Sequence, residues 1–158
     1  TSQRMKERTE EVTSLNPVLT DQGGHVVRYA LYPHKGDHKK ALTARKAFEF
    51  TIPLLSHIED AHRGVLPKKH TFIEVGGKNA ILTTLKRAED SDRLIIRLYE
   101  TMGRRSKLTL KFDELLVSGE ETDILERSTR RLSVKDNKVH TSLEKYEIKT
   151  LRIRLGIK

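Results

Sequence analysis

Apolar and polar residues alternate with a period of two through most of the chain after residue 24. The clearest run is Leu108, Leu110 and Phe112, which alternate with Lys107, Thr109 and Lys111. Such alternation is typical of a strand that buries one face and exposes the other. Strands are predicted at 27–31, 48–54, 71–75, 80–85, 93–100, 107–112, 121–125, 131–134, 139–143 and 146–155. Many short strands with frequent turn residues favour an all-β antiparallel β-sandwich.

One or two short helices are expected within this sandwich. The main helix is predicted around 38–47, because Asp37 offers an N-cap and Ala41, Ala44 and Phe48 follow at helical spacing. Two hairpin turns are also predicted. Met102-Gly103 would close a hairpin after the strand at 93–100, and Asp136-Asn137 would form a tight turn before the strand at 139–143.

The length of 158 residues fits a single domain or a large piece of a longer protein. Residues 1–15 are charged and predict a lead-in, disordered or forming a divergent strand, whereas 16–158 are predicted to form one β-sandwich domain. The chain has no Cys, which excludes a disulfide framework, a cysteine-ligated zinc site and a thiol nucleophile. No apolar run is long enough to span a bilayer and no signal peptide is visible, so we expect no membrane partner.

The net charge is +9, and a basic chain can bind nucleic acid, anionic lipid or acidic sugars, so the charge alone does not choose among them. Acidic residues are interspersed among the basic ones, however, as in Lys35–Lys39 and Lys86–Asp90. With four Tyr, four Phe and no Trp, the chain has few aromatic side chains on which bases can stack. A basic nucleic-acid-binding β protein is therefore the less favoured alternative, and no nucleic-acid partner is expected.

The motifs that could carry chemistry are incomplete. His34 and His38 have the spacing of zinc ligands on a helix, but Pro33 and Gly36 argue against a helix there and the pattern fixes no third ligand. Adjacent acids such as Glu89-Asp90 do not establish the separation of about 5–9.5 Å that a glycosidase needs. No nucleophile elbow, phosphate loop or dinucleotide fingerprint is present. These observations predict no catalytic and no metal-binding residue in the chain.

Five ordered blocks, covering roughly 16–155, resemble glycoside hydrolase family 38. They include DQGGH, followed by YALYPHKGD, and LKRAED, followed by IRLYE. The remaining blocks lie at 47–54, 121–126 and 146–151. The resemblance is to the C-terminal β-sandwich region, of the galactose-mutarotase-like supersandwich type.

The family consists of retaining α-mannosidases whose nucleophile and divalent metal, usually zinc, lie in an N-terminal barrel. The resemblance therefore implies a non-catalytic domain of such an enzyme, which supports the barrel and shapes the sugar site. The chain alone would be inactive and hold no cofactor, and zinc is expected in the missing catalytic domain. Its implied partners are that barrel and the carbohydrate substrate of the parent enzyme, in mannose metabolism. The lack of Cys and of a signal peptide suggests the cytoplasmic members of the family.

The candidate substrate-proximal or domain-interface residues are those in the matched blocks that are predicted to lie on loops. They are His34, Lys35, Asp37, Lys86, Arg87, Glu89 and Asp90. The simpler interpretation is that these side chains cap strands and pair with one another. A face that packs against the barrel also predicts self-association into a homo-oligomer when exposed. An independent carbohydrate-binding module is the alternative function, although the shortage of aromatic residues argues against it.

Overall fold

The computed structural model describes residues 23–156. The chain divides into two units, 1–33 and 34–158. In the first unit, residues 23–33 contain neither helix nor strand, and their side chains are exposed. The predictions for residues 1–15 lie outside the described residues, and the boundary predicted between 15 and 16 stays a prediction.

The second unit contains one α-helix and nine strands within its described residues. The helix, α1, spans Thr43–Thr51. The strands are β1 Ile73–Gly76, β2 Ala80–Arg87, β3 Leu94–Glu100, β4 Ser106–Phe112, β5 Leu116–Thr122, β6 Ser128–Leu132, β7 Val134–Lys135, β8 Lys138–Leu143 and β9 Ile148–Leu155.

The strands form two antiparallel sheets. One sheet has the order β1-β4-β8-β7 and the other β2-β3-β9-β5-β6. One continuous core contains side chains from both sheets, including Leu98 and Ile153 from one and Leu110 and Val139 from the other, all 0% exposed. Gly119 lies where the sheets approach closely, since a Cβ there would lie 3.1 Å from Val139 Cγ2. The predicted all-β antiparallel sandwich with a short helix is confirmed.

Several local predictions were correct. The alternating run in β4 buries Leu108, Leu110 and Phe112, as expected for a strand with one face on the core. Asp136 and Asn137 both have positive φ, of 50° and 55°, and connect β7 to β8 as an antiparallel hairpin. Positive φ at both central residues is the geometry that favours Asn and Asp in such turns.

The strand predicted at 27–31 was wrong, because residues 24–33 form no strand. Its apolar side chains are largely exposed, with Val27 79% and Leu31 92% accessible. Alternation specifies which face of a strand is apolar, but a strand forms only beside a neighbour that satisfies its backbone.

The helix was misplaced and the strand predicted at 48–54 was wrong. Residues 38–42 form a turn, Leu42 adopts a left-handed conformation with φ 54°, and the helix begins at Thr43. The helix continues through Phe48 and Phe50 to Thr51. Phe48 fits both the helical and the strand spacing, and the helical period prevails here.

Two further boundaries were wrong. The strand predicted at 121–125 begins earlier, at Leu116, and ends at Thr122. The strand predicted at 131–134 is divided between β6 and β7, which belong to different sheets.

The hairpin predicted at Met102-Gly103 was also wrong, because β3 and β4 belong to different sheets. The connection instead crosses the sandwich, and the carboxylate of Glu100, which is 1% exposed, holds it in place. Five groups donate hydrogen bonds of 2.7–3.2 Å to it: Asn79 Nδ2 and the backbone N–H groups of Met102, Gly103, Arg104 and Tyr146.

These hydrogen bonds set the charge state of Glu100. Burial alone would raise its pKa, but the hydrogen bonds from Asn79 and from the backbone N–H groups outweigh burial and lower the pKa to about 2. A carboxylate that accepts several N–H bonds is strongly favoured over its protonated form. Glu100 therefore remains charged inside the protein.

We expect Glu100→Gln to destabilise the sandwich by roughly 2–3 kcal/mol at neutral pH, because an amide replaces one acceptor oxygen. The folded-state pKa lies below the unfolded one, so the contribution is complete above about pH 4.5 and declines as the pH falls towards 2. Urea unfolding of both proteins between pH 7 and pH 3 measures this contribution to the free energy of unfolding. Glu74→Gln, at an exposed pair with Lys111, is the matched control. An equal effect of both variants would contradict the role of Glu100.

Candidate functional site

The candidate residues at 86–90 lie at the hairpin that joins β2 to β3. Lys86 is half-buried, and its ammonium contacts Glu89 and, at 2.8 Å, Glu126. Arg87 pairs with Asp92, and both of these side chains are mostly exposed. The hairpin therefore carries one pair that points into a cluster and one that faces solvent.

Glu126 is the centre of this cluster, although it lies in the turn between β5 and β6. Its side chain is 7% exposed. Besides Lys86, it accepts a 3.2 Å hydrogen bond from the backbone N–H of Glu89 and lies 3.7 Å from Arg97. The hydrogen bond from Lys86 outweighs burial and lowers the pKa of Glu126.

Arg152 of β9 joins the cluster from the adjoining strand. Its guanidinium donates to the carbonyl of Glu126 and lies 3.3 Å from the carboxylate of Asp90. A hydrogen bond from the Ser91 hydroxyl is the main cause of a lowered pKa for Asp90, and the positive charge of Arg152 lowers this pKa further. The hairpin residues 86–90, together with Arg97, Glu126 and Arg152, are called the hairpin cluster below.

The other candidates, His34, Lys35 and Asp37, lie before α1. His34 and Lys35 are exposed. The Asp37 carboxylate accepts backbone hydrogen bonds from Lys39 at 2.9 Å and Lys40 at 2.8 Å. The bond from Lys40 is the main cause of a lowered pKa for Asp37. Asp37 thus caps the turn that precedes α1.

The structure places these two sets of candidates at opposite ends of β2. Arg45 of α1 donates a 2.9 Å hydrogen bond to the carbonyl of Ala80, where β2 begins. Lys86 and Arg87 are the last residues of the same strand. The seven residue steps of an extended strand cover about 23 Å. The two sets therefore belong to different parts of the surface.

A second ionic cluster, centred on Glu121 of β5, joins the two sheets. Its carboxylate accepts hydrogen bonds from Thr141 at 2.6 Å, Arg130 at 2.8 Å and Lys149 at 3.0 Å. Thr141 belongs to β8 in the opposite sheet, so this contact crosses the sandwich. Burial raises the pKa of Glu121, and the hydrogen bonds from Thr141 and Lys149 lower it by more.

The carboxylates in these clusters hold charge and are poorly suited to donating protons. Hydrogen bonds and cations lower the pKa of Asp90, Glu121 and Glu126, whereas a general acid needs a pKa near the working pH. Among residues 23–156, no group of three or more His, Asp or Glu side chains is arranged to hold a metal ion. The hairpin cluster can position chain segments and present charge.

A cavity of about 450 Å³ lies between α1 and the sheet that contains β2, β3 and β9. Its walls include Tyr99, Tyr146 and the hydroxyl-bearing Thr83 and Thr101. Tyr146 is 58% exposed, and its ring packs so closely on Gly103 that a Cβ there would lie 2.5 Å from the phenolic oxygen. The cavity offers aromatic and polar groups to a small ligand.

Sequence reasoning missed Glu100, Glu121, Glu126 and Arg152 as organising residues. Glu100, Glu121 and Glu126 lie within blocks that carry the family resemblance, so that resemblance was the available signal. Their partners are distant in sequence, as with Glu100 and Tyr146, which are 46 residues apart.

Comparison with known proteins agrees with this fold. Residues 79–151 match the family model of the glycosyl hydrolases family 38 C-terminal beta sandwich domain. Alpha-mannosidase 2C1 of Mus musculus and that of Homo sapiens are each 28% identical to this chain over 140 residues, covering 85% of it. An alpha-mannosidase of Saccharomyces cerevisiae is 26% identical over 161 residues, covering 84% of the chain.

The fold is that of a β-sandwich domain. Residues 79–151 match the C-terminal sandwich domain of glycoside hydrolase family 38, and the resemblance drawn from the sequence is confirmed. The chain spans only 13% of the length of the mouse and human relatives. Within the described residues, no helix is both long and apolar enough to cross a membrane.

We expect Glu126→Gln to lower the midpoint of urea unfolding more than Arg87→Ala does. Glu126 joins two loops through Lys86 and the Glu89 backbone, whereas Arg87 makes an exposed pair with Asp92. Exposed pairs contribute little to stability. Equal midpoints for the two variants would show that the hairpin cluster does not hold these loops together.

Proposed function

We propose that this chain is the non-catalytic C-terminal domain of a retaining, metal-dependent α-mannosidase. The match of residues 79–151 to the family 38 sandwich domain carries the proposal. Hydrolysis of α-mannosides takes place in a catalytic barrel elsewhere in the parent chain, which also holds the divalent metal, zinc. The parent enzyme acts in cytoplasmic mannose metabolism.

The role of the domain is to support that barrel. Large apolar side chains stand exposed in each unit. They are Val26, Val27, Tyr29 and Leu31 in the first and Leu54, Leu55, Ile58, Val65 and Leu66 in the second. Exposed apolar residues in this number are typical of surfaces that pack against a partner. The barrel of the parent enzyme is the partner that we propose, and a second copy of the chain occupies these surfaces when the barrel is absent.

The hairpin cluster supports a further role at the sugar site. Its inner charges are paired, while Arg87 and Glu89 leave 73% and 83% of their side chains exposed. A rigid base with exposed polar groups is suited to contacting a neighbouring domain or a carbohydrate. Asp37, at the other end of β2, is likewise an exposed polar group on a fixed backbone. Two backbone N–H groups donate hydrogen bonds to its carboxylate and fix the turn.

The cavity beside Tyr146 favours a second candidate function, an independent carbohydrate-binding module. Its walls combine Tyr99 and Tyr146 with two Thr hydroxyls in about 450 Å³, which falls within the usual size of ligand sites. Titration with mannose oligosaccharides distinguishes this function from a supporting role. Binding that is lost in Tyr146→Ala would favour the module.

The 158-residue chain is expected to show no mannosidase activity, because the proposed nucleophile and metal ligands lie in the barrel. An aryl α-mannoside assay with added zinc or cobalt measures this directly. The complete parent enzyme is the positive control. Turnover by the chain that persists through repurification would overturn the proposal.

In the complete enzyme, Arg87→Ala and Asp37→Ala are expected to impair activity more than they destabilise the 158-residue chain. In the proposal, these charges serve a neighbouring domain that is present only in the complete enzyme. Within the chain itself, the pair of Arg87 with Asp92 is exposed and contributes little to stability. Activity of the enzyme and thermal unfolding of the chain are compared for each variant.

Lys135→Ala is the matched control, since Lys135 is exposed on the short strand β7. Equal damage in the two assays would mean that Arg87 and Asp37 only hold the sandwich together. For Asp37 this comparison is essential, because the loss of a cap costs about 0.5–2 kcal/mol by itself.

A further inference from the structure

A recess of about 240 Å³ lies where the turn before α1 meets the start of β2 and the β3–β4 crossing. Four of the six residues that line it are cationic, namely Lys39, Lys40, Lys78 and Arg104, and the other two are Leu42 and Met102. No carboxylate is part of the lining. The recess therefore combines an apolar floor with a cationic rim.

The rim charges are available to a ligand. Among the described residues, Lys39, Lys78 and Arg104 form no ion pair within 4.0 Å. Lys40 lies close enough to Asp37 for its charge to help lower the pKa of that carboxyl. Four cations around one small recess repel one another, and an anion placed between them removes that repulsion.

The backbone beneath each cation is fixed by a specific hydrogen bond. The carboxylate of Asp37 holds the N–H groups of Lys39 and Lys40, and buried Glu100 accepts a bond from the N–H of Arg104 at 3.2 Å. Arg45 donates a 3.4 Å hydrogen bond to the carbonyl of Lys78. A site whose side chains stand on a fixed backbone loses less conformational freedom when it binds.

We propose that this recess binds a compact phosphate-bearing ligand. Lys and Arg are the side chains that recognise phosphate, through charge and through N–H donors. The volume lies just below the range of about 300–1,000 Å³ that is usual for drug-sized ligands, which suits a small anionic group. No aromatic side chain lines the recess, so it offers no surface on which bases can stack.

Pyrophosphate titrated into the 158-residue chain at low ionic strength, followed by calorimetry, tests the proposal. The double variant Lys78→Gln/Arg104→Gln is expected to weaken binding by about tenfold or more, since it removes two charge-assisted contacts. Both side chains are exposed, and the backbone bonds beneath them do not need the charged groups. The thermal unfolding midpoint of the variant therefore checks that the fold is retained.

The matched control is Lys135→Gln/Arg154→Gln, which removes the same charge from exposed positions on β7 and β9. It is expected to change affinity by less than about twofold, through screened long-range charge alone. Absence of pyrophosphate binding to the unmodified chain, or equal losses in the two double variants, would overturn the proposal. Binding of oligoglutamate but not of pyrophosphate would overturn it in favour of an acidic protein partner.

Two further probes identify the source of the phosphate once pyrophosphate binds. Glucose 6-phosphate represents a soluble phosphorylated ligand, and phosphatidylcholine vesicles that contain phosphatidic acid represent a membrane headgroup. Each probe is titrated into both double variants. The source is identified by the probe that binds less well to Lys78→Gln/Arg104→Gln but still binds to the control variant. Loss of binding in the recess variant with either probe supports the assignment.

Discussion

The structure depends above all on one buried charge, the carboxylate of Glu100. It stands at the end of β3 and accepts hydrogen bonds from the segment before β2, from the β3–β4 crossing and from Tyr146 in the turn before β9. Three distant parts of the chain therefore share one acceptor. Because five donors satisfy it, the cost of burying the charge is offset, and the crossing has a fixed course between the two sheets.

That crossing determines what lies on the nearby surface. It places β4 in the opposite sheet from β3, so that both sheets contribute to one core. It also places Met102 and Arg104 beside Lys78 and puts Gly103 against the ring of Tyr146. The tyrosine-lined cavity and the cationic recess are thus both built around the loop that Glu100 organises.

The sequence predicted the features that depend on near neighbours. The alternation around Leu110 locates β4, and Asp136-Asn137 specifies a turn by its own backbone preferences. It did not reveal which sheet β4 joins, because turn residues do not encode the next partner strand. The organising roles of Glu100 and Glu126 were hidden for a related reason, since their partners lie 46 and 37 residues away. Of the candidates at 86–90, Glu89 and Asp90 lie on a loop as predicted, whereas Lys86 and Arg87 are the last residues of β2. Arg152, which pairs with Asp90, lies far along the chain.

The acids and bases of this domain have divided roles. Glu100 is buried, and Glu121 and Glu126 are only 15% and 7% exposed at their side chains. Each serves to join elements of the fold, and hydrogen bonds keep each ionised. Many cations have no such internal role, so part of the net charge of +9 is displayed at the surface. Four of those cations converge on the recess beside α1. The internal use of carboxylates therefore explains how a chain rich in both charges presents a locally cationic surface.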